Sequence, residues 1–159
     1  MLALLCTVSI TCAAADFSEL PQFRLPAGDC VREFNIKKKK TYQRFVDCIV
    51  KARRARTRYP YKTPKVKVKK TVYNSSGRKV RARFIGTEVI AGARFFQNKI
   101  EAGFGDADEY VLMHEISHSL TEQLLGGAAQ FRNPHDGAFY RELGLLEDMT
   151  EVSKVRNQR

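Results

Sequence analysis

Long apolar runs are missing from this chain of 159 residues. After the first fifteen or so positions, no stretch approaches the roughly 20 apolar residues that a bilayer-crossing helix requires. A protein built on internal helical spans is therefore excluded, and the mature chain is expected to be soluble. No segment repeats another, which excludes solenoids and propellers. No recognised nucleic-acid-binding motif is present. Acids are scarce, at 17 Asp or Glu against 28 Lys or Arg, and histidine is scarcer still, at three residues. All three histidines fall between positions 114 and 135. What remains suits one modest domain with a single core, since 43% of the residues are hydrophobic and 10% aromatic.

Residues 1–15 (MLALLCTVSITCAAA) run from an apolar stretch into small residues, with the charged Asp16 next. That is the pattern of a secretory signal peptide cut after Ala15, and it predicts a secreted or periplasmic protein. No Lys or Arg precedes the apolar stretch, so either the α-amino group alone supplies the positive end or translation starts upstream. Cleavage would remove Cys6 and Cys12 and leave Cys30 and Cys48, which in an oxidising compartment predicts one disulfide. On one continuous helix these two would stand about 27 Å apart, whereas a disulfide tolerates about 7 Å between Cα atoms. The chain must therefore reverse between them, and 35–41 (NIKKKKT) is the obvious place.

Charge is unevenly placed. Residues 31–100 hold 22 Lys or Arg against three acids, Glu33, Asp47 and Glu88. A half this basic suits contact with a polyanion such as nucleic acid, an anionic envelope polymer or an acidic protein, or simply a well-solvated surface.

Along the chain, 17–28 reads as an extended lead-in with two prolines. From 41 to 58, Tyr42, Phe45, Val46, Ile49 and Ala52 recur at helical spacing, with Arg44, Lys51, Arg53, Arg54 and Arg56 on the opposite face and Pro60 as the stop. Residues 16–62 thus predict a helical hairpin. The period then changes to two: Val66, Val68 and Val72, a turn at 74–77, then Val80, Ala82 and Phe84 predict a β-hairpin. Further short strands are expected at 88–91 and 99–102. Asp106 to Glu109 has capping-box spacing and opens a helix through Tyr110, Val111, Leu112 and Met113, closed by Gly126-Gly127. A last helix is expected to start with Asn133 as N-cap, Pro134 at its first position and His135 in its first turn, and to run through Phe139, Leu143 and Leu146 toward Met149.

The informative residues are His114-Glu115-Ile116-Ser117-His118. Positions i and i+4 of a helix share a face, so both imidazoles can point at one zinc ion. Glu115, one residue on, projects beside the open coordination position as a general base toward water that the zinc activates. The third ligand is expected to be His135, with Glu142 and Glu147 as the carboxylate alternatives. A metzincin pattern fails, because Thr121 and Leu124 stand where that class needs Gly and His.

With this motif and with His135-Asp136-Gly137-Ala138-Phe139 downstream, the chain resembles the SprT-like zinc metallopeptidases. Gly137 lies one place later than in that family's H-G-x-x-F, while Phe139 keeps the offset. The stretch 93–101 (ARFFQNKIE) resembles the family's edge strand before the active-site helix. The resemblance spans about residues 80–149. It implies an α+β, zincin-like core with a small antiparallel sheet over 63–159, proteolysis of polypeptide, His114, His118 and His135 as Zn2+ ligands, and Glu115 as catalytic base. The export signal differs from the intracellular, chromatin-associated members, so their DNA-linked substrates are not carried over. The rival reading is a non-enzymatic basic protein that binds envelope or nucleic acid around a structural zinc. Glu115 favours the endopeptidase, because a structural site has no need of a base there.

Overall fold

The computed structural model describes residues 27–126 and 133–152. The expected leader, its cleavage point at Ala15 and the lead-in up to position 26 lie outside the described residues, while Ala27 and Gly28, read as extended, open the first helix instead. In chain order the elements are α1 (Ala27–Glu33), α2 (Lys39–Ala55), β1 (Lys65–Lys69), β2 (Val72–Tyr73), β3 (Lys79–Val80), β4 (Ala82–Ile90), β5 (Ala93–Gly103), α3 (Glu109–Leu125) and α4 (Gly137–Thr150). The class is α+β, as expected.

The helical hairpin forms. Its reversal is held by Thr41, whose hydroxyl lies 2.7 Å from both the Asn35 and the Lys38 carbonyl oxygens and 3.2 Å from the Asn35 N–H. Cys30 and Cys48 are bonded, with Cα atoms 5.7 Å apart. Tyr42, Phe45, Val46, Ile49 and Ala52 are all buried. Two details differ from expectation. α2 ends at Ala55, short of Pro60, where the Arg56 N–H turns back to the Arg53 carbonyl. Arg53, expected on the wet face, is 9% exposed, because a buried carboxylate receives it.

The sheet is mixed rather than antiparallel. Its order is β1-β5-β4, with β1 parallel and β4 antiparallel to β5. The hairpin expected from 66 to 84 shrinks to the two-residue pair β2–β3, Val72 opposite Val80 and Tyr73 opposite Lys79. Charge gives the reason. Continued in the register of Val72 opposite Val80, the hairpin would set Lys69 against Arg83 and give Lys65 and Lys67 no acid to face, and like charges directly opposite are destabilising. Parallel pairing instead sets Lys67 against Glu101 and brings Lys69 to the same carboxylate, with Lys65 opposite Lys99 the one like-charge pair. The two short strands expected later are one long hairpin, β4–β5, closed by Ala91-Gly92 with φ of 50° and 81°. Positive φ at both central residues is what a tight hairpin of this hand requires, and Ala91 is a weak signal for it. Midway, Gly86 alone opposes Gln97 and Asn98, a β-bulge with Asn98 at φ 44°. Of the stretch read as an edge strand, 93–101, the part from Lys99 onward is central, between β1 and β4, and β4 is an edge of the sheet.

Alternation sorts the sheet's faces. Val66, Val68, Ala82, Phe84, Ile100 and Ala102 join the core with α2, α3 and α4. On the other face Lys69, Arg83 and Lys99 converge on Glu101 at 2.6, 2.8 and 3.4 Å. Glu101 is 3% exposed. Burial pushes its carboxyl up, but hydrogen bonds from Lys69 and Arg83 outweigh that and hold it at about 2, against an ordinary 4.5.

A depressed carboxylate contributes stability that is complete above its unfolded pKa and is lost as pH falls through the folded one. Glu101→Gln is expected to lower the unfolding free energy by about 2 kcal/mol at neutral pH. It should also flatten the acid loss of stability between pH 4.5 and about 2; urea titrations across that range check both. Reducing Cys30–Cys48 frees a loop with an 18-residue separation and is expected to cost about 3 kcal/mol by chain entropy, read as a lower melting temperature.

Candidate metal centre

Helix α3 is placed by its cap. Asp108, not Asp106, is the N-cap, and its carboxylate accepts the Val111 N–H at 2.9 Å. The capping box expected at 106 is displaced because the Asp106 and Ala107 N–H groups close a turn onto the Gly103 carbonyl. Further along, the Ser119 hydroxyl donates to Asn98 Oδ1, joining α3 to the bulge of β5. Leu112, Met113, Ile116 and Leu120 bury the opposite side of the helix. His114 and His118 are left facing β4, with the His118 ring parallel to Phe84 at 6.4 Å.

His135 arrives differently from the expectation. Helix α4 begins at Gly137, and its N-cap is Asp136, which accepts the Ala138 and Phe139 N–H groups at 2.9 and 3.2 Å. His135 therefore precedes the helix. Asn133, expected as the cap, accepts the His135 N–H at 3.0 Å and shapes the turn that presents it. An Asp with two free amides ahead of it is as good a cap as Asn, and here it wins the position.

The three histidines meet through the same atom. His114 Nε2 lies 3.2 Å from His118 Nε2 and 3.2 Å from His135 Nε2. All three ligand atoms lie within 4.8 Å of one another. Zinc–nitrogen bonds of 2.0–2.1 Å at tetrahedral angles place ligand nitrogens about 3.3 Å apart. The donor set and its spacing therefore fit a divalent ion. Phe139, fully buried, packs against all three rings at 4.9, 4.4 and 4.8 Å. Burial, helped by the charges of His114 and His135, pulls the His118 imidazole down to about 3. It thus stays neutral, the form that binds metal.

Glu115 lies beside the triad at 8% exposure. Burial raises its carboxyl to about 7, opposed by a hydrogen bond to the backbone of Phe84. The histidines and Glu115 line a cleft of about 560 Å³, walled by β4 from Ala82 to Thr87 and floored by α3. Thr121 also lines it, with a buried hydroxyl that finds no hydrogen-bond partner among the described residues.

The carboxylate alternatives stand elsewhere. Glu142 takes a bidentate pair from Arg53, 3.0 Å at both contacts, with the Tyr61 hydroxyl at 3.4 Å. Glu147 is absent from the only metal-competent group among the described residues. Sequence reasoning missed Glu122, one turn past His118. Its carboxylate accepts the Thr87 N–H at 2.8 Å and the Thr87 hydroxyl at 2.6 Å. A Cβ at position 86 would collide with that carboxylate, so Gly86 leaves the room that the Glu122–Thr87 contact uses. A glycine inside an alternating run was the available signal.

His135→Ala is expected to weaken zinc binding by at least an order of magnitude with little change in the apo-protein's melting temperature. Glu142→Ala should do the reverse. It strands a buried guanidinium at a cost of about 3 kcal/mol but removes no ligand, so its loss of metal affinity, felt only through α4, should be small beside that of His135→Ala. Chelator competition and thermal melts of both variants separate the two effects.

Comparison with known proteins leaves the geometry to speak for itself: no family model, no curated protein and no solved structure matches the chain.

Proposed function

We infer that this protein is a zinc-dependent endopeptidase of SprT-like type, with His114, His118 and His135 as ligands and Glu115 as catalytic base. One observation carries the reading: His118 Nε2 and His135 Nε2 each lie 3.2 Å from His114 Nε2, the three rings line one cleft, and a buried carboxylate stands beside them. Structural zinc sites are usually closed by four protein ligands. Among the described residues no fourth His, Cys, Asp or Glu joins this group, which supports an open position.

A divalent ion bound there supplies Lewis-acid polarisation and a more acidic water. The chain's own part lies in Glu115. It takes a proton from the attacking water at its carboxylate and returns it to the departing amine. Its burial keeps bulk water from competing for that proton. Strand β4 contributes position. It is the sheet's edge and forms the cleft wall, so an extended polypeptide can lie along it and be read through backbone contacts. That geometry supports polypeptide as the substrate class.

The test is cleavage of an unfolded protein such as casein by the zinc-loaded chain, with Glu115→Gln beside it. The variant should bind zinc as the parent does and lose activity by about a hundredfold or more. Full activity in Glu115→Gln would remove this mechanism. Zinc retained by both proteins with no cleavage by either would support the structural-zinc rival.

A further inference from the structure

The β4–β5 ribbon outruns its sheet. β1 pairs with β5 only from Lys99 to Gly103, so among the described residues the ribbon from Thr87 and Phe96 to the Ala91-Gly92 turn has no third strand. A two-stranded ribbon standing in water is expected to be polar. This one exposes Val89 at 63%, Ile90 at 54%, Phe95 at 49% and Phe96 at 42%.

Register divides these four residues. Thr87 opposes Phe96, Glu88 opposes Phe95, Val89 opposes Arg94 and Ile90 opposes Ala93. Opposed residues share a face and successive pairs alternate. Val89 and Phe96 therefore lie on one face, and Ile90 and Phe95 on the other. A protein docked against one face would leave the second apolar face in water. A medium that surrounds the ribbon covers both.

Charge identifies the medium. The ribbon itself carries one base and one acid, Arg94 and Glu88, while the sheet face at its root carries Lys65, Lys67, Lys69, Arg83 and Lys99 around the single acid Glu101. The chain as a whole carries a formal +11. Apolar side chains ahead of a basic face match the layering of an anionic bilayer, with acyl chains beneath charged headgroups. We propose that the β4–β5 ribbon docks this protein on an anionic lipid surface. Val89, Ile90, Phe95 and Phe96 enter the headgroup–acyl boundary, and the basic sheet face draws the protein there. No helix among the described residues is long and apolar enough to cross a membrane, and interfacial docking needs none.

Sedimentation of the full chain with vesicles tests this. Vesicles of equal parts phosphatidylglycerol and phosphatidylcholine should carry the protein down, and pure phosphatidylcholine should not. Phe95→Ser with Phe96→Ser should weaken partition about tenfold or more. Val89→Ser with Ile90→Ser, at the ribbon's tip, should do the same, so the result does not hang on one variant. Lys65→Ser with Lys67→Ser should weaken it several-fold at low salt and little at high salt. Unchanged circular dichroism and zinc content show that each variant is folded. Failure to sediment with either vesicle overturns the proposal. So does binding that both apolar pairs leave intact while inorganic polyphosphate abolishes it, which would mark a polyanion site. A dimer that dissociates with the same apolar substitutions, without vesicle binding, would assign the ribbon to a second copy of the chain.

Discussion

Arg53 and Glu142 lose nearly all contact with water, their side chains 10% and 6% exposed, and neither tolerates that alone. Removing either leaves a charge in the interior, a cost of several kcal/mol. Together they fix how α2 meets α4, because a bidentate guanidinium–carboxylate pair allows one relative orientation. Tyr61 packs over the guanidinium at 5.7 Å, and burial with the Glu142 charge pushes its phenol up to about 12. The consequence reaches the metal centre through α4. Phe139 lies one turn before Glu142 on that helix and packs against all three histidine rings. The amino-terminal hairpin is therefore part of what holds the triad, not an appendage to it.

A second electrostatic constraint settles the sheet. A strand of alternating Lys and Val needs a neighbour that answers both halves of its pattern. β5 offers Ile100 and Ala102 to the valines and Glu101 to the lysines. In the register of Val72 opposite Val80, the run 83–87 offers Lys69 a base and the other lysines no acid. Parallel pairing follows from that difference, and it makes β5 central and β4 the edge. The edge position in turn lets β4 wall the cleft on one side and extend as a free ribbon at its end. One buried carboxylate on β5 thus influences both surfaces to which we assign a role.

What the sequence made legible was local. The apolar stripes of α2 and α4, the reversal between Cys30 and Cys48, and the meeting of His114, His118 and His135 all rest on spacing within short segments. Three kinds of feature were not legible. Strand partners depend on contacts distant in sequence, so the hairpin read between 66 and 84 went instead to β5. Cap competition turned on one residue: Asp136 displaced Asn133, and Asp108 displaced Asp106, because each alternative had its own partner in a preceding turn. Arg53 read as a surface base because helical periodicity marks a face without naming what lies opposite. Nothing near position 53 announces Glu142, 89 residues away.

The cap at Asp136 bears on the chemistry. Had α4 begun at Asn133, His135 would sit within a helical turn and its direction would be tied to the helix axis. As it stands, His135 lies in a turn held by Asn133, and α4 is fixed separately by Asp136 and by the burial of Phe139. The imidazole direction is set by the turn, the floor beneath it by the helix. The Nε2 contacts show why an ion suits the result. A ring nitrogen presents either one N–H or one lone pair, so His114 Nε2, 3.2 Å from two others, cannot make two full hydrogen bonds. In the cluster at least one contact between neutral imidazoles stays poorly satisfied. A cation there would accept all three lone pairs at once and remove that conflict, which would couple its binding to the order of α3, α4 and the turn that carries His135.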